Sequence, residues 1–275
     1  MENIVIEGDN IDFLNNAMEN NNVNYDVIIM DPPYNTNIDY IGYKDSDFKE
    51  GWIEFIKIRL TKCYSLLSNL GVIFIHIDEN ELIQLTKLCY DIFDVNNVNI
   101  LIWKKTNELF DKNRVEKPTH NVRNINEFVL ICYKNKAKTI FNPMFQPIFQ
   151  DNNLTEIQKP METILDFLGT TSSAKDELYE LLGNRDLFST PKPMKLFKEF
   201  IRVASIKKSN ILDIFAGSGT TAHAVMDLNK EDGGNRKFVL ITNNENNICR
   251  DVTIPRINKA IEVNNYRESY VFKTL

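Results

Sequence analysis

The feature of this sequence that most restricts its fold is a repeated alternation between short apolar runs and longer amphipathic stretches. The short runs have the length of buried strands, whereas the stretches between them repeat apolar residues at helical spacing. This alternation is typical of a parallel sheet covered by helices on both faces. The sequence therefore predicts an α/β fold.

The predicted elements follow one another along most of the chain. The predicted strands are residues 4–7, 27–30, 72–77, 100–103, 128–133, 211–215 and 238–242. The predicted helices are residues 11–18, 52–67, 81–92, 194–204, 220–228 and 252–261, with a further short helix between Ser173 and Gly183. Seven strands and no internal repeat indicate one sheet in one domain, residues 1–275.

Composition restricts the environment of this domain. A hydrophobic content of 43% over 275 residues is sufficient for a large core. No apolar run approaches the roughly 18 residues of a membrane helix, and the beginning Met-Glu-Asn does not resemble a signal peptide. The four cysteines are far apart, which argues against a disulfide framework or zinc knuckle. We expect a soluble, cytoplasmic protein of bacterial, phage or viral origin.

Two segments interrupt the alternation and are interpreted as insertions on the domain. Residues 104–126 hold six basic and three acidic side chains, and residues 142–184 hold two basic and seven acidic ones. The following segment, 185–208, holds seven basic and two acidic side chains. Charge is thus segregated within a chain of net charge −6, as in a protein with a local basic groove or one with ordinary solvated faces.

The sequence Asp31-Pro32-Pro33-Tyr34 directly follows the second predicted strand. Two consecutive prolines end strand pairing, so the chain must leave the sheet as a stiff loop that fixes Asp31 and Tyr34. Open α/β sheets bind ligands at this carboxyl edge. From the motif alone, an ordinary proline turn with a capping Asp31 and a packed Tyr34 remains the alternative.

A second loop, Asp213-Ile-Phe-Ala-Gly-Ser-Gly-Thr-Thr221, follows the sixth predicted strand. Gly217 and Gly219 allow a sharp turn against a ligand, and the next helix offers N–H groups to negative charge. Gly217, Gly219 and Ala222 also fit the spacing of dinucleotide-binding loops, so a nicotinamide oxidoreductase remains an alternative at this point. Glu245 could bind a ribose in either case.

Together and in this order, the two motifs resemble the circularly permuted β group of DNA amino-methyltransferases that use S-adenosylmethionine. The resemblance to modification subunits of type III restriction systems, and to related stand-alone adenine methyltransferases, covers nearly the whole chain apart from the insertions. The matching segments are residues 8–10, 31–36, 71–78, 126–135, 188–193 and 210–238. It implies a Rossmann-like, seven-stranded methyltransferase sheet.

The resemblance also implies roles for individual residues. The carboxylate of Asp31 and the carbonyl of Pro32 would accept the amine hydrogens of a flipped-out adenine, on whose ring Tyr34 would stack. The implied catalytic residues are Asp31, Pro32, Pro33 and Tyr34. The implied cofactor is S-adenosyl-L-methionine, with binding residues Asp9, Thr190, Lys192, Asp213, Phe215, Ala216, Gly217, Ser218, Gly219, Thr220 and Glu245.

Some members of that set have specific expected contacts. Asp213 is expected at the amino group of the cofactor, Glu245 at its ribose and Asp9 at its adenine. Thr190 and Lys192 are expected at its methionine carboxylate. Helix capping is the alternative for Asp9 and Thr220.

DNA is the implied partner, and residues 104–126 are the preferred contact segment because they are basic and join two strands at the end of the sheet. The predicted DNA-binding residues are Lys104, Lys105, Lys112, Arg114, Lys117 and Arg123. The segment 142–184 could contact bases or form a homodimer. Asn126-Glu127 stands where His-Glu is common in the family. The longer modification subunits also bind a restriction subunit, and the sequence leaves open whether this protein has such a partner.

Three other functions are weighed against adenine methylation. A cytosine-N4 methyltransferase would need the same cofactor, but such enzymes more often have Ser in place of Asp31. A nicotinamide oxidoreductase would leave Asp-Pro-Pro-Tyr unused, and a non-catalytic DNA-binding relic would not need intact motifs. The histidines His76, His120 and His223 form no metal-binding pattern, and no metal is expected.

Overall fold

The computed structural model describes residues 1–20, 24–36, 39–40, 43–45, 48, 51–108, 110–112, 121–139, 141–150 and 153–275. The helices are α1 (Asn10–Asn20), α2 (Trp52–Leu66), α3 (Leu82–Phe93), α4 (Thr171–Leu182), α5 (Met194–Ala204), α6 (Thr220–Asp232) and α7 (Ile254–Asn264). The strands are β1 (Ile4–Glu7), β2 (Tyr25–Met30), β3 (Asp39–Tyr40), β4 (Tyr43–Lys44), β5 (Leu67–Ile77), β6 (Val98–Lys104), β7 (Asn126–Tyr133), β8 (Met144–Gln150), β9 (Asn153–Lys159), β10 (Ile164–Leu165), β11 (Asn210–Asp213), β12 (Lys237–Thr242) and β13 (Val271–Thr274). All predicted helices and strands are present.

The described strands form one large sheet in the order β10-β6-β7-β5-β2-β11-β12-β1-β13. The sheet is parallel, as predicted, except that strand β7 runs antiparallel to β5 and β6, a direction that the sequence did not predict. An apolar run does not encode strand direction, and a parallel return needs a crossover, usually a helix. The described residues between β6 and β7 contain no helix, so the strands pair as antiparallel neighbours. The first residues of β7 therefore lie at the carboxyl edge of the parallel strands.

Seven of the nine strands are those predicted from the sequence, and the other two lie at the edges of the sheet. Strand β10 pairs with β6 and has only two residues. Strand β13 pairs with β1, and all four of its residues are exposed. Neither strand has a buried apolar run, and such runs are what sequence periodicity detects.

The core lies on both faces of this sheet. On one face Phe74 of β5 stacks on Phe200 of α5, with ring centroids 4.5 Å apart. On the other, Ile28 of β2 packs in a cluster with Leu60 of α2 and Leu85 of α3. Helices on both faces leave the carboxyl edge of the central strands open between them. Among the described residues, no helix is long and apolar enough to cross a membrane.

The predicted insertion 142–184 consists of two structurally different parts. Strands β8 and β9 pair only with each other, as an antiparallel hairpin. Helix α4, in contrast, belongs to the domain core: Glu177 accepts the backbone N–H of Met194 at 3.1 Å and the guanidinium of Arg256 at 3.1 Å. The acidic character of this helix thus includes a half-buried structural carboxylate, which charge counting could not distinguish from a surface one.

Candidate active site

An open cavity of about 1070 Å³ lies at the carboxyl edge of β1, β2, β11 and β12. Its walls are the loops that follow these four strands, the segment that precedes α5, and side chains of α2. The sheet thus brings the Asp-Pro-Pro-Tyr loop and the glycine loop to one cavity, although they are about 180 residues apart in the sequence.

The four predicted catalytic residues, Asp31 to Tyr34, all line this cavity. The Tyr34 hydroxyl donates to Asp31 Oδ1 at 2.7 Å. On the other side of the loop, the indole N–H of Trp52 donates to the Pro33 carbonyl at 2.6 Å. The proline pair limits the backbone and these two bonds fix its position, so the Asp31 carboxylate is held at the cavity wall.

Lys192, expected at a cofactor carboxylate, forms an ion pair with Asp31. Its Nζ lies 2.9 Å from Asp31 Oδ1 and 2.8 Å from Oδ2, and the residue is 5% exposed. Burial disfavours the charged ammonium, but the nearby carboxylates of Asp31 and Glu127 outweigh it, so the pKa of Lys192 is raised. Lys192 lines the cavity as predicted, and its structural partner is the first residue of the other motif.

Glu127 is a site residue that our sequence reasoning did not select. It is 6% exposed, and its Oε2 lies 3.1 Å from the Tyr34 hydroxyl and 3.4 Å from Lys192 Nζ. Its Oε1 lies 3.6 Å from Lys105 Nζ. The antiparallel direction of β7 brings Glu127 to this edge. The resemblance at Asn126-Glu127 was the available signal, but only the strand direction gives it a location.

The glycine loop needs both of its glycines. Gly217 and Gly219 have φ of 49° and 78°, in the left-handed region that favours glycine. A Cβ on Gly219 would meet Thr253 at 3.2 Å, so this glycine also allows α7 to approach. Thr253 in turn donates its hydroxyl to the Gly217 carbonyl at 2.6 Å. The cavity is lined by Phe215, Ala216, Gly217, Ser218 and Thr220, but not by Gly219.

Asp213 lies beneath the loop rather than in the cavity wall. It is 1% exposed, one oxygen accepts the Phe215 N–H at 3.0 Å, and the other accepts the Thr221 hydroxyl. Burial raises the pKa of Asp213 to about 7, against the effect of these hydrogen bonds. Asp213, which was expected at the amino group of the cofactor, thus has a structural role in the described part of the chain, since each of its oxygens accepts a hydrogen bond from its own loop or from the helix that follows.

Arg256 supports the same loop from α7 and was not predicted. Its guanidinium is fully buried and donates to the hydroxyls of Thr220 at 2.7 Å and Ser218 at 3.1 Å. Its charge is balanced by Glu177. Burial raises the pKa of Glu177 to about 7, although Arg256 favours its ionised form. Two hydroxyls that line the cavity are therefore fixed from behind by an ion pair.

The opposite wall of the cavity contains Asp9, Phe55 and Arg59. Asp9 accepts the N–H of Ile11 at 3.0 Å, as a helix-capping side chain does, and also contacts Arg59 at 3.3 Å. The Arg59 guanidinium stacks on the Phe55 ring, 3.6 Å from its centroid. The structure thus combines the capping and ligand-facing interpretations of Asp9. Thr190 and Glu245, which were expected at the methionine carboxylate and the ribose of the cofactor, also line the cavity.

The described members of the predicted DNA-binding set differ in their surroundings. Lys105 points inward to Glu127, whereas Lys112 and Arg123 are exposed and Lys104 is half-buried. Arg114 and Lys117 lie outside the described residues. The structure therefore separates a cation of the active site from exposed cations of the same segment.

The positive charge of residues 185–208 is largely neutralised within the domain. The acidic partners lie in α4, α5, α6, β9 and the loop after β2. The pairs are Arg185–Asp176, Lys192–Asp31, Lys195–Glu156, Lys198–Asp227, Lys198–Glu231, Arg202–Glu199 and Arg202–Glu231. The net charge of this segment consequently says little about phosphate binding, because sequence counting does not show which acids face these cations.

The histidines have structural surroundings. His76 is fully buried beside Trp103, and burial lowers its pKa to about 3. His223 is also buried, with its pKa lowered to about 3 for the same main reason. His120 lies outside the described residues. Among the residues that the structure describes, no group of three or more His, Cys, Asp or Glu could hold a metal ion.

An α/β sheet with one antiparallel strand, whose Asp-Pro-Pro-Tyr and glycine loops share one cavity, has the architecture of Rossmann-like methyltransferases. The sequence comparison gives the family: residues 25–253 match the family described as DNA methylase, and the chain belongs to it. Membership of this family decides against the nicotinamide interpretation of the glycine loop.

Curated relatives include subunits of restriction-modification systems. The chain is 26% identical to the type III StyLTI Mod subunit of Salmonella typhimurium, over 87% of this chain and 52% of that protein. It is 25% identical to the EcoPI Mod subunit of Escherichia phage P1, over 89% of this chain and 58% of that subunit. The chain thus spans a little over half the length of these relatives.

Solved structures of similar fold extend over nearly the whole chain. The complex of M1.HpyAVI with SAM has a TM-score of 0.58 at 20% identity, and covers 93% of this chain and 99% of that one. The cytosine-N4-specific PvuII DNA methyltransferase has a TM-score of 0.54 at 12% identity, and covers 100% and 95%. These structures support the predicted Rossmann-like fold.

Proposed function

We propose that this protein transfers the methyl group of S-adenosyl-L-methionine to the exocyclic N6 amino group of adenine in DNA. The observation that carries the proposal is the single cavity shared by the Asp31 carboxylate and the glycine loop. One loop would hold the acceptor amine and the other the methyl donor, so the shape of the sheet itself would bring the reactants together.

The cavity residues suit the chemical parts of this cofactor. The rings of Phe55 and Phe215, with centroids 6.1 Å apart, offer apolar surface to its adenine. Glu245 offers a carboxylate to ribose hydroxyls, while the amino end of α6 offers N–H groups to a carboxylate. When bound, S-adenosylmethionine supplies a methyl group already activated by its sulfonium.

The residues of the first motif suit an amine acceptor. The lone pair of an adenine amine is delocalised into the ring, so the site must favour a pyramidal nitrogen by accepting its hydrogens. Asp31 and the Pro32 carbonyl are the acceptors in this proposal, and Lys192 supports the ionised carboxylate. Positioning and electrostatics therefore supply the rate enhancement, with no strong base required.

The target amine is inaccessible within a duplex, so the proposal includes base flipping. The Tyr34 ring lines the cavity and would stack on the extruded base, an interaction worth about 1–3 kcal/mol. Lys104, Lys112 and Arg123 are the described cations proposed to contact the phosphates, together with Arg114 and Lys117. Lys105 is assigned to the reaction centre instead because it faces Glu127.

Partners beyond DNA are part of the same proposal. The similarity to Mod subunits suggests a restriction subunit as a partner, although this chain spans only part of their length. A homodimer is proposed through the β8–β9 hairpin, which pairs with no other described strand. The proposed location is the cytoplasm, where the DNA substrate is found.

The test is an incubation of the protein with labelled S-adenosylmethionine and duplexes of varied sequence, followed by digestion to nucleosides. N6-methyladenine is the expected product. N4-methylcytosine would instead support the cytosine alternative, whose fold is equally compatible. The absence of any methylated base on every DNA would contradict the proposed function.

A further inference from the structure

The second carboxylate near Asp31 belongs to Glu127, which is not part of the cavity wall. Glu127 is the second residue of β7 and contacts two side chains, Tyr34 and Lys192, that line the cavity. These are the same two groups that contact Asp31. Glu127 is therefore placed to act through both partners of Asp31.

The Tyr34 hydroxyl and the Lys192 ammonium each lie between the two carboxylates of Asp31 and Glu127. The hydroxyl lies 2.7 Å from Asp31 Oδ1 and 3.1 Å from Glu127 Oε2. The ammonium lies 2.8 Å from Asp31 Oδ2 and 3.4 Å from Glu127 Oε2. Lys105 holds the remaining oxygen of Glu127 at 3.6 Å. Two carboxylates thus balance two ammonium groups.

The arrangement limits what Asp31 can still accept. A carboxylate has about four acceptor positions, and Tyr34 and Lys192 already fill three of them on Asp31. One position remains for an amine hydrogen. If Lys192 interacted with Asp31 alone, its full charge would hold the carboxylate and weaken that last acceptor position.

We propose that Glu127 is a positioning residue of the methyl-transfer site. It shares the charge of Lys192 and is a second acceptor for the single proton of the Tyr34 hydroxyl, so that Asp31 keeps its orientation and an available acceptor position. This inference rests on the proposed function, and it adds to it a residue whose place follows from the antiparallel direction of β7.

The test compares Glu127→Gln with Glu162→Gln, a matched control at an exposed carboxylate paired with Lys159. Glu127→Gln is expected to lower kcat by about tenfold or more, with the cofactor Kd and the thermal midpoint close to wild type. The control is expected to change none of the three. A kcat equal to that of the control, or a loss fully explained by unfolding, would overturn the inference.

A double-mutant cycle separates positioning from general damage. If Glu127 acts through Tyr34, the fold-loss of kcat in the double variant should be smaller than the product of the fold-losses in Glu127→Gln and Tyr34→Phe. Independent effects, in which the two losses multiply fully, would overturn the inference.

A measurement on the protein without DNA distinguishes this inference from the proposed function. With ¹⁵N-labelled lysine, the Lys192 Nζ resonance is assigned by its loss in Lys192→Met. It should shift in Glu127→Gln and stay in place in Glu162→Gln. An unshifted resonance in Glu127→Gln would overturn the inference whatever the activity. If the resonance shifts but the wild-type protein methylates no DNA, the contact is supported and the proposed function is overturned.

Discussion

Lys192 Nζ lies 2.8 Å from Asp31 Oδ2, although the two residues are separated by 161 positions in the sequence. This ion pair joins the segment before α5 to the loop after β2. Lys192 also contributes its carbonyl, which accepts the Thr220 hydroxyl at 3.2 Å. One lysine thus connects the acceptor loop to the glycine loop.

Removing the Asp31 carboxylate should abolish turnover without abolishing cofactor binding. In Asp31→Ala, kcat is expected to fall by about 10²–10³-fold, because an acceptor of the amine hydrogens is lost. The cofactor Kd from calorimetry should stay near wild type, since the glycine loop is intact and Lys192 keeps Glu127 as a partner. Asp186→Ala, at an exposed acid paired with Lys175, is the control. A loss of cofactor affinity as large as the loss of kcat would make Asp31 a structural residue.

Replacing Arg256 should weaken cofactor binding and lower the stability of the fold. In Arg256→Met the Ser218 and Thr220 hydroxyls lose their buried donor and Glu177 loses its counter-charge. Breaking a buried pair from one side costs about 3–5 kcal/mol of stability, so we expect a lower thermal midpoint and a raised cofactor Kd.

The control for this variant is Arg250→Gln, which removes a largely exposed arginine paired with Glu7. It should leave both quantities nearly unchanged, because surface ion pairs contribute little. A cofactor Kd for Arg256→Met equal to that of Arg250→Gln, measured well below the unfolding temperature, would contradict the assigned support of the loop.

Stability should depend on pH through Asp213. Burial raises its pKa from 3.8 to about 7, so the folded state binds the proton more tightly than the unfolded state. The free energy of unfolding should therefore fall as the pH rises from about 4 to about 7, by up to about 4 kcal/mol from this group. Glu177, with its pKa also raised to about 7, should act in the same direction.

Denaturant unfolding of wild type and Asp213→Asn across this pH range is the corresponding measurement. Asparagine cannot ionise, so the free energy of unfolding of the variant should decrease less between pH 5 and pH 8. The stability of the variant relative to wild type should therefore be higher at pH 8 than at pH 5. Parallel curves for the two proteins would show that Asp213 does not titrate in this range.

Two lysines of the basic segment should give different phenotypes. Lys112 is exposed, and Lys112→Gln should reduce the slope of log Kd against log salt concentration by about one phosphate contact. Lys105 contacts Glu127, so Lys105→Gln should leave that slope unchanged and lower kcat instead. Fluorescence anisotropy with a labelled duplex in increasing KCl measures the slope. Equal slopes for both variants and wild type would remove this segment from the DNA interface.

Much of the fold was predictable because its signals are local. The buried runs of β2, β5 and β12 and the amphipathic faces of α2 and α5 depend on residues a few positions apart. The edge strands β10 and β13 lacked such signals. The direction of β7 was not predictable from periodicity, because an apolar run reads the same for either direction.

The sequence by itself determined which groups come at the ends of strands. The proline pair fixes Asp31 and Tyr34 on a stiff loop, and the glycines of 217–219 permit a turn that a side chain would strain. Only the tertiary structure decided which groups these loops meet. It pairs Lys192 with Asp31, brings Glu127 into contact with Lys192 and buries Asp213 beneath its loop. Charge pairing and burial depend on residues distant in the sequence, and no local pattern records them.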